Sequence, residues 1–457
     1  MTDPQLQDRV IALAEELQVP GVAVGVFHDD EERYAFHGVT SVENPLPVDD
    51  RTLFQFGSTG KTFTAVAILR LVDEGRVDLD APVRRYVPEL RLRDPDVAES
   101  ITVLQLLNHT AGWDGDDFED TGDGDDAIAR FVDHMAELQQ ISPPGFIVSY
   151  NNAALALAGR VIEKVTGSVY ERAIRDLVLD PIGLTNTFFF ANEVMTRRFV
   201  VGHRREPDGT QRVLRPWAMP RSGNPMGGMA ASAPDQLRWA RFHLDHGRTA
   251  DGRQVLDAAL IDRMQQSTVE MPGSDLGDAV GISWLLSTIG GERVVAHGGS
   301  TLGQYAGFVM VPSRRFAIVS LTNGEPNGPL FNRRMRDWAL ATYLDLHRTT
   351  PVAEARSADA LAEYAGTYET VSSVIAIAAD GGRLRMEVDA KPAFLEQLGS
   401  DADDENEPPI PLGMIAGGDR YVVPEGSHEA ETGFFVRDDR GRIMGLHVHG
   451  RYAPRCP

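Results

Sequence analysis

The amino-acid sequence predicts an α+β fold that is followed by a small all-β domain. Three observations support this prediction. Strand-like runs open the chain, further strand-like runs lie at about residues 293–322, and mostly helical segments lie between them. A sheet built from both ends of this region, beside an inserted helical region, satisfies that order. After about residue 358 the pattern changes to short strands separated by turns, which is typical of a barrel-like domain.

Helical and strand-like patterns follow a definite order in the first 80 residues. Residues 4–17 alternate in hydrophobicity as an amphipathic helix does. Two strand-like runs, Val22–Phe27 and Arg33–Gly38, come next and are joined by a turn-rich segment. A long helical pattern covers Thr59–Glu74, and Gly75 is suited to cap its end. The sequence therefore predicts two strands between two helices.

The segment from about residue 80 to 290 is predicted to be mostly helical and loop-like. Strand patterns return at Arg293–Ala296, Tyr305–Val311 and Phe316–Leu321, and a helix is predicted over about 328–346. We expect these strands to join the N-terminal pair in one sheet.

Length and local composition predict two domains. A chain of 457 residues is too long for one ordinary core. Near residue 350 the residues become small and polar, as in a linker. We therefore predict a large domain over 1–350, a linker over 351–358 and a small β domain over 359–457.

The overall charge restricts the possible partners. The formal net charge is −23, so the phosphates of nucleic acids and anionic membranes would be repelled. No run approaches the roughly 18 apolar residues of a membrane span, and no signal peptide is visible. The single cysteine, Cys456, cannot form an intramolecular disulfide. We expect a cytoplasmic protein, or a mature form without its leader, with a small-molecule or short-peptide substrate. A homo-oligomeric state is compatible with the sequence.

Ser58 and Lys61 are the first candidate catalytic pair. They stand three residues apart at the start of a predicted helix, so both side chains lie on one face. A serine hydroxyl needs a base within hydrogen-bond reach to act as a nucleophile at neutral pH. A competing interpretation is a phosphate-binding loop that ends in Gly60-Lys61-Thr62. That loop requires a glycine at position 55, where this chain has Gln55.

Two later segments carry further polar candidates. Tyr150 and Asn152 precede an apolar helix; a tyrosine beside a lysine can carry a proton, and an asparagine can orient the lysine or a substrate amide. Taken alone, this motif is more often a turn with a packed tyrosine. The segment His297-Gly298-Gly299-Ser300 follows a predicted strand, and its glycines would let a substrate backbone approach. Alone, it is more often a glycine-rich turn.

In this order the three segments resemble the motifs of the serine β-lactamase and penicillin-binding-protein superfamily. The nearest branch is the class C β-lactamase-like group, with its D-aminopeptidase, D,D-carboxypeptidase and esterase relatives. The resemblance covers roughly residues 5–345. Further matching segments are Ile101–Gly112, Pro144–Asn152, Val165–Gly167, Pro181–Phe189 and Gly227–Ser232. The segment Leu361–Tyr368 is similar to the start of the lipocalin-like domains found in some D-aminopeptidase-like members.

The resemblance implies a fold and a set of roles. The fold is an antiparallel sheet flanked by helices plus a helical region. Ser58 would attack the carbonyl, Lys61 and Tyr150 would share the proton transfers, and Asn152 would bind Lys61 or the substrate. The N–H groups of Ser58 and Ser300 would stabilise the oxyanion. No metal or cofactor is implied.

His297 stands where many β-lactamases have a lysine. An imidazole binds a carboxylate less reliably than an ammonium does at neutral pH. We therefore predict a serine hydrolase that acts on amide or peptide bonds, with substrates that contain D-residues among the candidates. A carboxylesterase, a β-lactamase and a non-catalytic ligand-binding or sensor protein of the same fold are the alternatives.

Two remaining features allow both a ligand-binding interpretation and an ordinary structural one. The segment 114–126 is rich in aspartate and does not match the EF-hand pattern. We expect it to be a solvated loop at the rim of the cleft, which would favour substrates with a free amine. His447 and His449 alternate on a strand and could form a metal pair, although barrel-lining or surface histidines are expected instead.

Overall fold

The computed structural model describes residues 3–398, 408–426 and 428–457. Its centre is an eight-stranded antiparallel sheet. The strands are β1 (Gly21–His28), β2 (Glu31–Gly38), β3 (Val269–Ser274), β4 (Gly277–Val280), β5 (Leu285–Ile289), β6 (Glu292–Thr301), β7 (Gln304–Val311) and β8 (Phe316–Thr322). They are arranged in the order β2-β1-β8-β7-β6-β5-β4-β3, so strands from both ends of the region meet at the centre, as predicted.

Alternation along β1 explains how the sheet separates two cores. Val22, Val24 and Val26 point to one face. There they pack with two helices, α1 (Pro4–Leu17) and α5 (Gly328–Leu344). The intervening residues face the opposite, larger core, which the helical region fills. Three long helices contribute to that core: α2 (Lys61–Asp73), α3 (Asn152–Thr166) and α4 (Ala233–Leu244).

The second eight-stranded sheet forms a nearly closed barrel. Its strands are β9 (Gly366–Glu369), β10 (Ser373–Asp380), β11 (Arg383–Ala390), β12 (Ile410–Met414), β13 (Arg420–Val422), β14 (Thr432–Arg437), β15 (Ile443–Val448) and β16 (Arg451–Pro454). Each strand pairs with the next, and Tyr368 bridges to Arg455 between the first strand and the end of the last. The predicted all-β domain is thus confirmed as a barrel. The linker over 351–358, and with it the domain boundaries, stays a prediction.

The sequence-based assignment of the middle segment was incomplete. Residues 269–289, expected to be helical or loop-like, form the three edge strands β3 to β5. Pro272 and Gly273 interrupt β3 with an irregular register, which weakens the strand pattern in the sequence. Strand β6 is also longer than predicted, because His297 to Ser300 continue the pairing with β7. The candidate motif is therefore part of a strand and not a turn that follows one.

Hydrogen bonds hold the barrel directly against the segment that carries Ser149 and Tyr150. The main-chain N–H of Tyr150 donates to the Gly450 carbonyl oxygen at 2.8 Å, and the N–H of Tyr452 donates to Ser149 Oγ at 3.1 Å. The turn between β15 and β16 consequently reaches the end of the segment that carries Tyr150. Within the described residues no helix combines the length and the apolar character that crossing a membrane would require.

Candidate active site

Ser58 lies in a single 3₁₀ turn, Gly57–Gly60, that leads directly into helix α2. Gly57 has a φ of 50°, in the left-handed region that favours glycine. The turn places Ser58 at the N-terminal end of the helix, where the helix dipole and free N–H groups favour negative charge. The turn therefore places Ser58 where negative charge that forms beside its side chain would be stabilised.

Lys61 is fully buried and faces Ser58 across one helical turn. Its Nζ lies 2.9 Å from Ser58 Oγ and 2.7 Å from the Met226 carbonyl oxygen. Burial, followed by the charge of Arg451, lowers the pKa of Lys61 well below its ordinary value, against the opposing effect of Asp116. A neutral amine can accept the serine proton, whereas an ammonium cannot. The enclosed position does not suit the phosphate-binding alternative, in which the lysine reaches out to an anion.

Tyr150 completes a triangle with these two residues. Lys61 Nζ lies 4.9 Å from the centre of its ring, and Ser58 is near enough to lower the pKa of its phenol. Burial raises the pKa of Tyr150 above its ordinary value, although the Ser58 hydrogen bond and Arg451 act in the opposite direction. The phenol therefore keeps its proton at neutral pH and can donate it. His109 stacks on the ring at 4.4 Å between centroids and holds it in place.

Two glycines bring strand β6 against the Ser58 turn. A Cβ on Gly299 would lie 1.9 Å from the Phe56 carbonyl oxygen and 2.9 Å from the Ser58 nitrogen. A Cβ on Gly57 would lie 2.5 Å from the Ser300 nitrogen. Without these side chains, the main-chain nitrogens of Ser58 and Ser300 come into neighbouring positions. Such a pair of N–H groups is the arrangement of an oxyanion hole.

Replacing Gly299 with alanine is expected to lower kcat by about 10²–10³-fold, the usual cost of losing an oxyanion donor. The added methyl group must push β6 away from the Ser58 turn and separate the two N–H groups. The matched variant is Gly298→Ala, where the nearest atom to a new Cβ is 3.6 Å away, and we expect a much smaller loss. Steady-state kinetics on folded proteins, checked by circular dichroism, compare the two. Equal losses would contradict the close-approach argument.

His297 is buried on the same strand and is not a cation. Its Nδ1 lies 2.6 Å from the Gly298 carbonyl oxygen. Burial, followed by the charge of Lys61, lowers the pKa of His297 to about 3. The imidazole is therefore neutral at physiological pH and supplies no charge to a substrate carboxylate.

Asn152 belongs to a polar network that the sequence did not reveal. Its side-chain amide donates to Asp116 at 2.8 Å, and Asp116 also accepts from Arg451, with 2.9 Å between Nε and Oδ2. The Arg451 guanidinium lies 4.7 Å from the centre of the Tyr150 ring. A contact of Asn152 with substrate stays a prediction. No pattern near position 116 or 451 signals this pairing, because 335 residues separate the partners.

The acidic segment 114–126 is not a uniformly solvated loop, so that expectation was wrong for its first part. Asp114 is buried and accepts the main-chain N–H of Val371 in the barrel at 2.5 Å. Burial, followed by the charge of Asp116, raises the pKa of Asp114 to about 6. Asp117 is also buried and pairs with a histidine of a neighbouring helix. These carboxylates anchor other parts of the protein and are not free to attract a substrate amine.

A cleft of about 630 Å³ opens beside Ser58 and Tyr150. Strand β6 forms one wall of this cleft with residues 296–300. The barrel contributes His449, from the turn between β15 and β16, and Arg451, the first residue of β16. The structure thus brings together the candidate residues from three distant parts of the sequence, and it adds a barrel wall that sequence reasoning left undecided.

Comparisons with known proteins agree with this geometry. The sequence profile of the β-lactamase family matches residues 6–343. Penicillin-binding protein 4 of Amycolatopsis lactamdurans is 35% identical over 368 residues, which cover 79% of this chain and 96% of that protein. A crystal structure of SurE with D-Leu superposes with a TM-score of 0.77 at 25% identity and covers 99% of both chains.

A class C β-lactamase of Rhodobacter sphaeroides shares the fold, with a TM-score of 0.63 at 22% identity, and covers 75% of this chain and 99% of its own. The family profile spans the central sheet and the helical region, and the similarity to SurE extends over the barrel as well. The chain therefore belongs to the β-lactamase family of serine hydrolases.

Proposed function

We propose that the protein cleaves amide or peptide bonds next to D-amino-acid residues through an acyl-enzyme on Ser58. The observation that carries this proposal is the Ser58–Lys61–Tyr150 triangle, in which a buried amine lies 2.9 Å from the serine oxygen at the floor of a cleft. The arrangement supplies a nucleophile, a base and a proton donor together. A binding protein without catalysis has no need of such a buried amine.

Lys61 is the general base of the acylation step in this proposal. Ser58 Oγ forms a bond to the substrate carbonyl carbon while its proton moves to the neutral amine of Lys61. The carbonyl oxygen becomes an oxyanion, which the N–H groups of Ser58 and Ser300 stabilise. The depressed pKa of Lys61 makes this direction of transfer favourable.

Tyr150 carries the proton to the leaving group. When the C–N bond breaks, the departing nitrogen takes the phenolic proton, and the proton held by Lys61 restores the phenol. The lysine amine lies 4.9 Å from the ring centre and 2.9 Å from Ser58 Oγ, and Ser58 and Tyr150 line the same cleft, so the three groups are close enough for this exchange. Water then attacks the ester carbon, and the same groups return Ser58 to its starting state.

The choice of substrate class has two supports. His297 is neutral, which disfavours recognition of a carboxylate in the manner of an ammonium-bearing site. SurE, which resembles this chain over almost its whole length including the barrel, has been crystallised with D-Leu. We therefore place a D-residue next to the bond that is cleaved.

A side-by-side activity panel tests the proposal. It contains D- and L-aminoacyl anilides, a short-chain nitrophenyl ester and a chromogenic cephalosporin. We expect the D-aminoacyl anilide to have the highest kcat/KM, and Ser58→Ala to lose all measurable turnover. Intact-mass analysis after a fluorophosphonate should show one adduct in the wild type and none in the variant. Faster turnover of the ester or the cephalosporin would reject the proposed substrate, and turnover by Ser58→Ala would reject the acyl-enzyme.

A further inference from the structure

His428, Glu431 and His449 converge at the edge of the barrel that faces the active-site cleft. His428 and Glu431 lie in the loop before β14, and His449 lies in the turn before β16. Their ligand atoms all lie within 4.8 Å of one another. His447, the other member of the pair noted in the sequence, is buried and stacks on Phe434 instead. The sequence could not show this cluster, because it depends on how the loop folds over the turn.

Both imidazoles point to the same carboxylate oxygen. His428 Nδ1 lies 2.9 Å from Glu431 Oε2, and His449 Nε2 lies 3.3 Å from it. In a tetrahedral zinc site the metal–nitrogen and metal–oxygen distances are about 2.0–2.2 Å, so two ligand atoms are about 3.3 Å apart. The two nitrogen–oxygen separations are already close to that value, and the two imidazole nitrogens lie within 4.8 Å of each other. A small rotation of the side chains would therefore admit an ion between them.

The surroundings suit a bound ion with one open position. The other carboxylate oxygen of Glu431 is held by Arg333, with 3.3 Å between Nη1 and Oε1, so Oε2 is left to face the imidazoles. Such an outer partner orients a ligand. His449 also lines the cleft and is part exposed, so a fourth position would be open to water or substrate. Two histidines and one glutamate with an open position are a known zinc ligand set.

We propose that His428, Glu431 and His449 bind one zinc ion per chain at the barrel rim of the cleft. The ion connects the loop before β14 to the turn that carries Gly450 and leads into Arg451. Gly450 contacts the main chain of Tyr150, and Arg451 pairs with Asp116. Zinc would thereby fix the part of the barrel that forms the cleft wall. This inference concerns metal binding and does not depend on the proposed substrate.

Calorimetric titration of the chelator-treated full chain with zinc chloride tests the site. We expect a stoichiometry of one in the wild type. His428→Ala and His449→Ala should each weaken zinc binding by at least about 100-fold. Loss of a residue that only orients a metal ligand costs at most about that much. The matched control is His347→Ala, which removes an exposed histidine that is paired with Asp345. That variant should bind zinc as the wild type does.

Cobalt spectroscopy on the wild type keeps the test independent of variant folding. Cobalt(II) at this site should give the visible absorption of a four- or five-coordinate ion, and X-ray absorption should show two imidazole ligands. Zinc should also raise the melting temperature of the wild type but not that of His428→Ala. Substoichiometric binding to the wild type, or zinc binding by both histidine variants that is as tight as that of the wild type, would overturn the proposal.

Discussion

Lys61→Met is expected to reduce the acylation rate by about 10³-fold or more while it makes the protein more stable at neutral pH. The variant removes the base that lies 2.9 Å from Ser58 Oγ, and general-base catalysis is typically worth 10²–10⁴-fold. The stability gain has a separate cause. Lysine is charged in the unfolded chain, and its burial in the folded protein disfavours that charge.

The pH dependence of this stability gain follows from linkage. Between the depressed folded pKa and the unfolded value of 10.5, the unfolded chain binds one more proton at Lys61 than the folded protein does. The stability of the wild type therefore rises with pH across this interval, and the advantage of the variant shrinks as the pH approaches 10.5. Thermal unfolding at several pH values measures this difference.

Lys164→Met is the matched control for Lys61→Met. Lys164 is partly exposed at the end of α3 and pairs with Glu89 at 2.5 Å between Nζ and Oε1. Its replacement should leave kcat unchanged and should not give the pH-dependent stability gain. Activity of Lys61→Met within tenfold of the wild type would assign the base to another group, with Tyr150 as the next candidate.

Arg451→Gln and Asp116→Asn are expected to move the acidic limb of the pH–rate profile in opposite directions. Activity requires neutral Lys61, so the limb follows the pKa of that residue. The charge of Arg451 lowers this pKa, and the charge of Asp116 raises it. Loss of the guanidinium should therefore shift the limb to higher pH, and loss of the carboxylate should shift it to lower pH.

The two shifts make the prediction specific. A structural disturbance of the barrel contact would lower activity in both variants but would not move the limb in opposite directions. Arg455→Gln serves as a control from the same region, because Arg455 bonds main-chain carbonyl groups of the barrel, including that of Ala365. Profiles of kcat/KM between pH 5 and 9 give the measurement. Shifts of the same sign would contradict the assigned electrostatic roles.

The predictable part of the structure is the part encoded locally. The period of α1 is visible in a short window because one of its faces is apolar, and β1 is visible as a short apolar run that is buried on both faces. Ser58 and Lys61 were recognisable because one helical turn fixes their separation. The resemblance to a known family then connected this pair to Tyr150 and to strand β6.

The unpredicted part depends on contacts between distant segments. Asp116 looked like one acid in a solvated run, and only its pairing with Arg451 shows why it is buried. The edge strand β3 was missed because Pro272 and Gly273 break its pattern. Neither the zinc ligands nor the barrel wall of the cleft can be read from spacing, since tertiary folding alone brings them together.

The hydrogen bond between Tyr150 and Gly450 makes catalytic activity a reporter of barrel folding. A denaturant concentration that unfolds the barrel first would remove Arg451 from the cleft and abolish activity. The central sheet would still be folded at that concentration and would keep its spectroscopic signal. A tight substrate analogue would protect the barrel from proteolysis, because binding energy gained in the cleft is lost when the turn leaves it. With a ligand in the cleft, the central sheet and the barrel would therefore unfold in a single transition.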